Sequence, residues 1–173
     1  AADMEFPVVL KIASDKILHK SDIGGVKVGI ESEEEAKATF DEIIANAKKA
    51  HPDIVPDGVE VQKMMETGQE VIVGMIKDKQ FGPMIAFGMG GIYVNLIEDV
   101  SFKLANGISS QEIDEQINDT KVSELLKGYR GEAPCDIDAV KEAIKRVARL
   151  TLDFPEISEL DINPIFVYEN ARS

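Results

Sequence analysis

His19 stands beside a glycine pair in "ILHKSDIGGVKVG" (17–29), between two strand-like runs. A neutral imidazole is a good nucleophile towards phosphorus, and histidine is partly neutral near pH 7. Gly24 and Gly25 let the backbone turn tightly and approach a ligand. Successive N–H groups in such a turn can form a nest for an anion. Lys20 and Lys27 flank the turn, and Lys11 lies on the preceding run. Two readings stand: a hairpin loop with a solvated histidine, or a phosphate cradle in which His19 carries a phosphoryl group.

"ELDINP" (159–164) is the second stretch with chemistry. On a strand, alternate residues share a face, so Glu159, Asp161 and Asn163 form a row of hard oxygen donors of the kind Mg²⁺ takes. The competing reading is a solvated strand face, with Leu160 and Ile162 turned to a core and Asn163 opening a turn at Pro164. "FGMGGIYV" (87–94) is a weaker glycine cluster, open to use as a cradle or as a bend. "GYRG" (128–131) offers Arg130 as a fork for a carboxylate or phosphate, or as a plain surface arginine after a helix stop. Cys135 has no CxxC partner and reads as structural.

The elements around these residues follow from periodicity. "PVVLKIA" (7–13) is a buried strand, and "GVKVGI" (25–30) a strand with one wet face. A helix over 32–52 starts at a Ser32/Glu35 capping box and buries Ala36, Phe40, Ile43, Ile44 and Ala47. "GVEVQKMM" (58–65) and "EVIVGMIKD" (70–78) read as neighbouring strands, and 83–105 as two or three more. Helices follow over 109–119, 121–131 and 136–155, the second stopped by Gly128. A last strand over 157–170 is interrupted or bent at Pro164. This order predicts an α+β fold with mixed sheets, not a regular βαβ winding.

A chain of 173 residues suffices for one domain or two small lobes sharing a cleft. The net charge of −13 repels phosphate backbones, which argues against nucleic acid as a partner. No apolar run approaches the roughly 20 residues of a membrane helix, so no membrane role is expected. The single cysteine excludes an internal disulfide and fits a cytoplasmic location.

Six stretches occur in the order of one family: "FPVVLKI", "ILHKSDIGGVKVGI", "VEVQKMM", "EVIVGMIKDKQFGPMIAFGMGGIYVNLIEDVSFKLA", "LLKGYRG" and "FPEISELDINPIFV". Together they resemble the ATP-grasp domain of ADP-forming (NDP-forming) acyl-CoA synthetases, as in the β subunit of archaeal-type acetate–CoA ligases. The resemblance covers nearly the whole chain. It implies an ATP-grasp fold of two α/β lobes, with mostly antiparallel or mixed sheets, around a nucleotide cleft. The lobes would be 1–63, incomplete, and 64–173. It implies the reaction acyl-CoA + ADP + phosphate ⇌ carboxylic acid + CoA + ATP, with ATP/ADP and Mg²⁺ as cofactors. A CoA-binding α subunit or fused domains would be the partner, in an α2β2-like hetero-oligomer. By the same resemblance His19 is a phosphohistidine. Gly24, Gly25 and Val26 match the loop over the nucleotide phosphates, and Lys11 matches the lysine that reaches them. Glu60, Val61, Gln62 and Lys63 match the hinge that holds adenine. Asp161 and Asn163, with Glu159 in the same row, match the metal site.

Two departures stand out. The strand–helix unit usual before "FPVVLKI" is missing, as is the acidic "LDAR"-like motif usual after "INP". The chain is therefore expected to be a fragment, with its metal site incomplete. A succinate- or malate-type CoA ligase shares the fold and "INP", but uses a different loop where "HKSD" stands. A catalytically inactive regulatory module, like those fused to protein acetyltransferases, is the alternative from another class. Such modules tend to lose the histidine that this sequence keeps.

Overall fold

The computed structural model describes residues 5–17, 20–91 and 98–169. Among them the chain forms two compact units, 1–66 and 67–173.

The first unit is a three-stranded antiparallel sheet backed by one helix. Strand β1 (Val8–Ala13) lies between β2 (Val26–Ile30) and β3 (Gly58–Lys63). Its alternation is strict: Val8, Leu10 and Ile12 are buried, and Val9, Lys11 and Ala13 point to the other face. The buried set packs with Ile30 and with Ala36, Ile43 and Ala47 of helix α1 (Glu33–Ala50). Each large side chain buried there contributes about 1.5–3 kcal/mol.

Helix α1 begins at Ser32, whose Oγ accepts the Glu35 N–H at 3.2 Å. Three glutamates in the first turn and two lysines in the last complement the helix dipole. Two details differ from expectation. The Glu35 carboxylate accepts the N–H of Glu31 at 2.9 Å, so the return bond reaches one residue upstream of the cap. Thr39 is buried and Phe40 is 44% exposed, because the buried stripe runs Ala36–Thr39–Ile43–Ala47 and leaves Phe40 on its flank.

Strand β2 is bulged. Val8 pairs with Ile30 and Leu10 with Lys27, so one extra residue sits opposite β1, and Gly29 takes a φ of +72°. The bulge breaks the expected alternation. Val28 turns out to solvent at 65% exposure, while Lys27 turns towards α1 and pairs with Glu42 at 2.7 Å.

The second unit is a four-stranded antiparallel sheet in the order β6-β5-β4-β7. Its strands are β4 (Gln69–Asp78), β5 (Gly82–Met89), β6 (Val100–Leu104) and β7 (Glu159–Val167). Helices α2 (Ser110–Asn118), α3 (Val122–Leu126) and α4 (Ile137–Asp153) cover one face. Val71, Val73, Met75, Ile85 and Phe87 meet Ile113, Leu126 and Ile144 in that core. The capping box expected at Ser109 and Glu112 is complete in both directions. Buried Gln116 of α2 donates through Nε2 to the carbonyls of Ile85 and Ser101, at 2.8 and 3.0 Å, which ties α2 to β5 and β6.

The expectation that β3 and β4 are neighbours is corrected: β3 pairs with β1 and β4 with β5 and β7, in separate sheets. Both runs are strand-like, but 64–68 is the passage from one unit to the other and not a hairpin. All strand pairs described are antiparallel, so no sheet is mixed among the described residues.

Candidate functional site

In the first unit Lys11, Val26, Glu60 and Gln62 gather on the sheet face away from α1. Lys11 is half-buried at the middle of the central strand, opposite Val26 on one side and Glu60 on the other. Directly opposed residues share a face, so Lys11, Val26 and Glu60 form one row. Gln62 lies on the same face, and its Nε2 donates to the Glu60 carboxylate at 2.7 Å. Lys11 forms no ion pair among the described residues. Its ammonium is therefore a charge not spent on the fold. Val61 points the other way, opposite Leu10, and packs against the core. The expected hinge set is thus split by strand alternation. Glu60 and Gln62 face with Lys11, Val61 backs them, and Lys63 is exposed at the strand end. β3 is an edge strand, so its outer N–H and C=O groups are free of ladder bonds.

The glycine turn lies directly before β2. Gly24 has a φ of +67°, and its N–H donates to the Ser21 carbonyl at 3.0 Å. The Gly25 N–H donates to the Lys20 carbonyl at 2.8 Å. The expectation of an anion nest is corrected here: both N–H groups are consumed inside the turn. What the glycines supply is close approach. A Cβ on Gly25 would lie 2.8 Å from the Lys20 carbonyl oxygen and 2.9 Å from Ile12 Cγ2. Lys27 does not serve the turn either, being paired with Glu42. Asn46 of α1, which the sequence did not single out, holds the turn by donating to the Gly24 carbonyl at 3.2 Å. No local pattern marks it, since its partner lies 22 residues away. His19 lies outside the described residues, between buried Ile17 and Lys20.

In the second unit Glu159 and Asp161 sit opposite Ile76 and Gly74, on the sheet face away from the helices. Asp161, Gly74, Ala86 and Phe102 make one cross-strand row over the four strands. Strand β7 does not stop at Pro164. It continues to Val167, with a register shift opposite Val71 to Val73 that absorbs Asn163 and Pro164. The Oδ1 of Asn163 accepts the N–H of Gly91 at 2.8 Å, and the Gly90 N–H donates to the Glu70 carbonyl at 3.0 Å. Gly90 packs so closely that a Cβ there would come 2.6 Å from the Val71 backbone. The "GMGG" stretch is therefore a close-packed bend as far as Gly91; residues 92–97 lie outside the described set.

These donors fit a magnesium ion in kind. All are hard oxygens, and Mg²⁺ is usually held by one or two carboxylates, with waters and substrate phosphates filling its other positions. The described residues hold no cluster of three or more His, Cys, Asp or Glu that could cage a metal. Asp161, Glu159 and the remaining lone pair of the Asn163 oxygen are what β7 offers. Cys135 is half-buried, and burial pushes its thiol pKa up, as do Glu169 and Glu132. That is the opposite of what a reactive thiol needs.

A family model described as an ATP-grasp domain matches residues 1–172. The β subunit of an ADP-forming acetate–CoA ligase I from Pyrococcus furiosus is 47% identical over 171 residues, covering 99% of this chain and 73% of the relative. The ADP-forming acetate–CoA ligase I of Archaeoglobus fulgidus is also 47% identical over 171 residues; there the chain spans 25% of the relative's length. Among solved structures, the dinucleotide-forming acetyl-CoA synthetase 1 of Ca. Korarchaeum cryptofilum, with coenzyme A and Ca-AMPCP, matches with a TM-score of 0.88 and 43% identity, over 98% of this chain and 73% of that one. Another structure of that synthetase, with coenzyme A and Mg-AMPPCP and its phosphohistidine segment pointing towards the nucleotide site, matches at 0.83 and 42%, over 96% and 72%. The antiparallel α+β architecture agrees with this likeness, and the chain belongs to the ATP-grasp domain family.

Proposed function

We propose that this chain is the nucleotide-binding and phosphoryl-transfer part of an ADP-forming acyl-CoA synthetase of the acetate–CoA ligase type. The observation that carries the proposal is the 47% identity over 99% of the chain to such a ligase's β subunit. The units 1–66 and 67–173 are then the two ATP-grasp lobes. The enzyme interconverts acyl-CoA, ADP and phosphate with a carboxylic acid, CoA and ATP. A CoA-binding chain or fused domain completes it, in a cytoplasmic hetero-oligomer.

In this reading an imidazole nitrogen of His19 attacks the γ-phosphorus of ATP. The N–P bond forms as the bond from that phosphorus to the β–γ bridging oxygen breaks, and ADP leaves. The reverse step makes ATP. Such transfers depend on position and charge neutralisation more than on new covalent chemistry. Lys11 supplies a fixed positive charge for the phosphates. The turn 21–26 covers them by close approach of bare backbone at Gly24 and Gly25, leading into Val26. The outer edge of β3 offers backbone groups to the adenine edge, at Val61 and Lys63, with Glu60 and Gln62 on the adjoining face. Asp161, Glu159 and Asn163 would hold Mg²⁺, which when bound neutralises the phosphate oxygens.

The test is incubation of the complete two-chain enzyme with γ-labelled ATP and Mg²⁺, beside His19→Ala. Acid-labile, base-stable label that disappears in His19→Ala is the expected result. No label in the unaltered enzyme would overturn the proposal and favour an inactive, regulatory ATP-grasp module.

A further inference from the structure

The turn after α3 is built with unusual backbone geometry. Gly128, Arg130 and Gly131 have φ of +92°, +53° and +94°. Glycine adopts such angles freely, but arginine is rare there. Gly128 has no alternative, because a Cβ would collide with the Glu132 carbonyl oxygen. The turn is pinned at both ends. The Gly128 N–H donates to the Leu125 carbonyl at 3.0 Å, and the Cys135 N–H donates to the Leu126 carbonyl at 2.8 Å. Within it, the Glu132 N–H donates to the Tyr129 carbonyl at 3.2 Å. Between the pins, 129–134 is an unbroken exposed run.

At its tip the Arg130 guanidinium lies over the Tyr129 ring, 5.2 Å from the centroid. That contact biases the guanidinium towards the ring, and both residues are exposed. The other two described arginines are committed: Arg146 to Glu142 at 2.9 Å and Arg149 to Asp153 at 2.7 Å. Arg130 has no ion pair among the described residues, in a chain with 32 acidic side chains against 19 basic ones. A strained, pinned turn thus presents an uncommitted fork and an aromatic ring. These are the two residue types that most often anchor protein interfaces. Small-molecule sites are concave, and cavities of 460, 230 and 240 Å³ among the described residues are lined by residues outside this turn.

We propose that the 128–134 turn docks the CoA-binding partner chain, with Arg130 taking a partner carboxylate in a bidentate pair over Tyr129. This rests on the partner reading given under the proposed function. The fork geometry suits a carboxylate. The prefixed backbone lowers the ordering cost of binding.

The test is the affinity of the unaltered chain and of Arg130→Ala, Arg130→Lys and Arg130→Gln for the CoA-binding chain. It is measured by titration calorimetry at two salt concentrations, beside ATP labelling of each variant. Truncation of an interface anchor weakens binding about 30-fold, so Arg130→Ala and Arg130→Gln should lose about that much, together with part of the salt dependence. Arg130→Lys should recover only a fraction, and labelling at His19 should be unchanged in all. Binding of Arg130→Ala and Arg130→Gln within twofold of the unaltered chain would overturn the inference. So would loss of labelling with partner affinity intact, which would assign Arg130 to the nucleotide. Failure of the unaltered chain to bind the partner at all would remove the functional reading and the inference together.

Discussion

Asp99 is a residue whose loss should be felt well beyond its own loop. It is 8% exposed, and its two carboxylate oxygens accept the N–H groups of Lys121 and Val122 at 2.8 and 2.9 Å. Helix α3 has no side-chain cap of its own, so Asp99 caps it from 22 residues away. Its carbonyl also accepts the Met89 N–H at 3.0 Å, and Gly88 leaves room for it. One residue therefore joins the end of β5, the approach to β6 and the start of α3. Asp99→Ala removes two hydrogen bonds to a charged acceptor, each worth about 1.5–3 kcal/mol. Partial entry of water offsets some of this, so a net cost of about 2–4 kcal/mol is expected. Asp99→Asn keeps one acceptor and turns an amide donor towards the second N–H, so it should recover little of the loss. Urea unfolding followed by circular dichroism should show a lower midpoint at an unchanged slope for both variants. An Asp99→Ala variant within about 0.5 kcal/mol of the parent, the range of an ordinary surface change, would refute the capping argument.

Two further predictions follow from local geometry. Gly25→Ala should both destabilise the first unit and abolish His19 labelling, because the new methyl group meets the Lys20 carbonyl and the Ile12 side chain below 3.0 Å. Overpacking of this kind costs about 1–3 kcal/mol, and a variant that melts and labels like the parent would show that the turn tolerates a side chain. The second concerns acid. Asp78 is held below its ordinary pKa of 3.8 by the N–H groups of Phe81 and Gln80, and Glu112 below 4.5 by the backbone and hydroxyl of Ser109. Folded-state values depressed in this way give stability that is whole above the unfolded pKa and lost as pH falls through the folded one. Melting temperature should therefore fall below pH 4.5, and Asp78→Asn with Glu112→Gln should flatten that fall. An identical pH profile in the double variant would refute the assignment.

Features written within a few residues of each other were legible in the sequence. The Ser109 cap, the long periodic helix α4 and the strand at β1 all follow from spacing and residue type, and each lies within a residue or two of where it was expected. The misses share one cause, which is that the deciding partner is distant. Thr39 replaces Phe40 because α1 meets β1 along a stripe that composition does not define. Val28 is exposed because a bulge shifts the register of β2. β3 and β4 read as a hairpin because a strand carries no label for its sheet. The site divides in the same way. Lys11 and the β7 row were singled out from the residues themselves, and Glu60 from the family resemblance. That the Gly24 and Gly25 N–H groups are spent inside the turn, and that Asn46 and Gly91 hold the glycine turn and Asn163, depends on contacts up to 72 residues apart.

The passage between the units, at Glu66 and Thr67, also makes the chain modular. Among the described residues, every strand pair and both hydrophobic clusters lie wholly on one side of it. A break at that joint would interrupt none of the described ladders. The lysine-and-glycine element and the carboxylate strand thus lie on opposite sides of that joint, so a substitution in one leaves the described ladders and core of the other untouched.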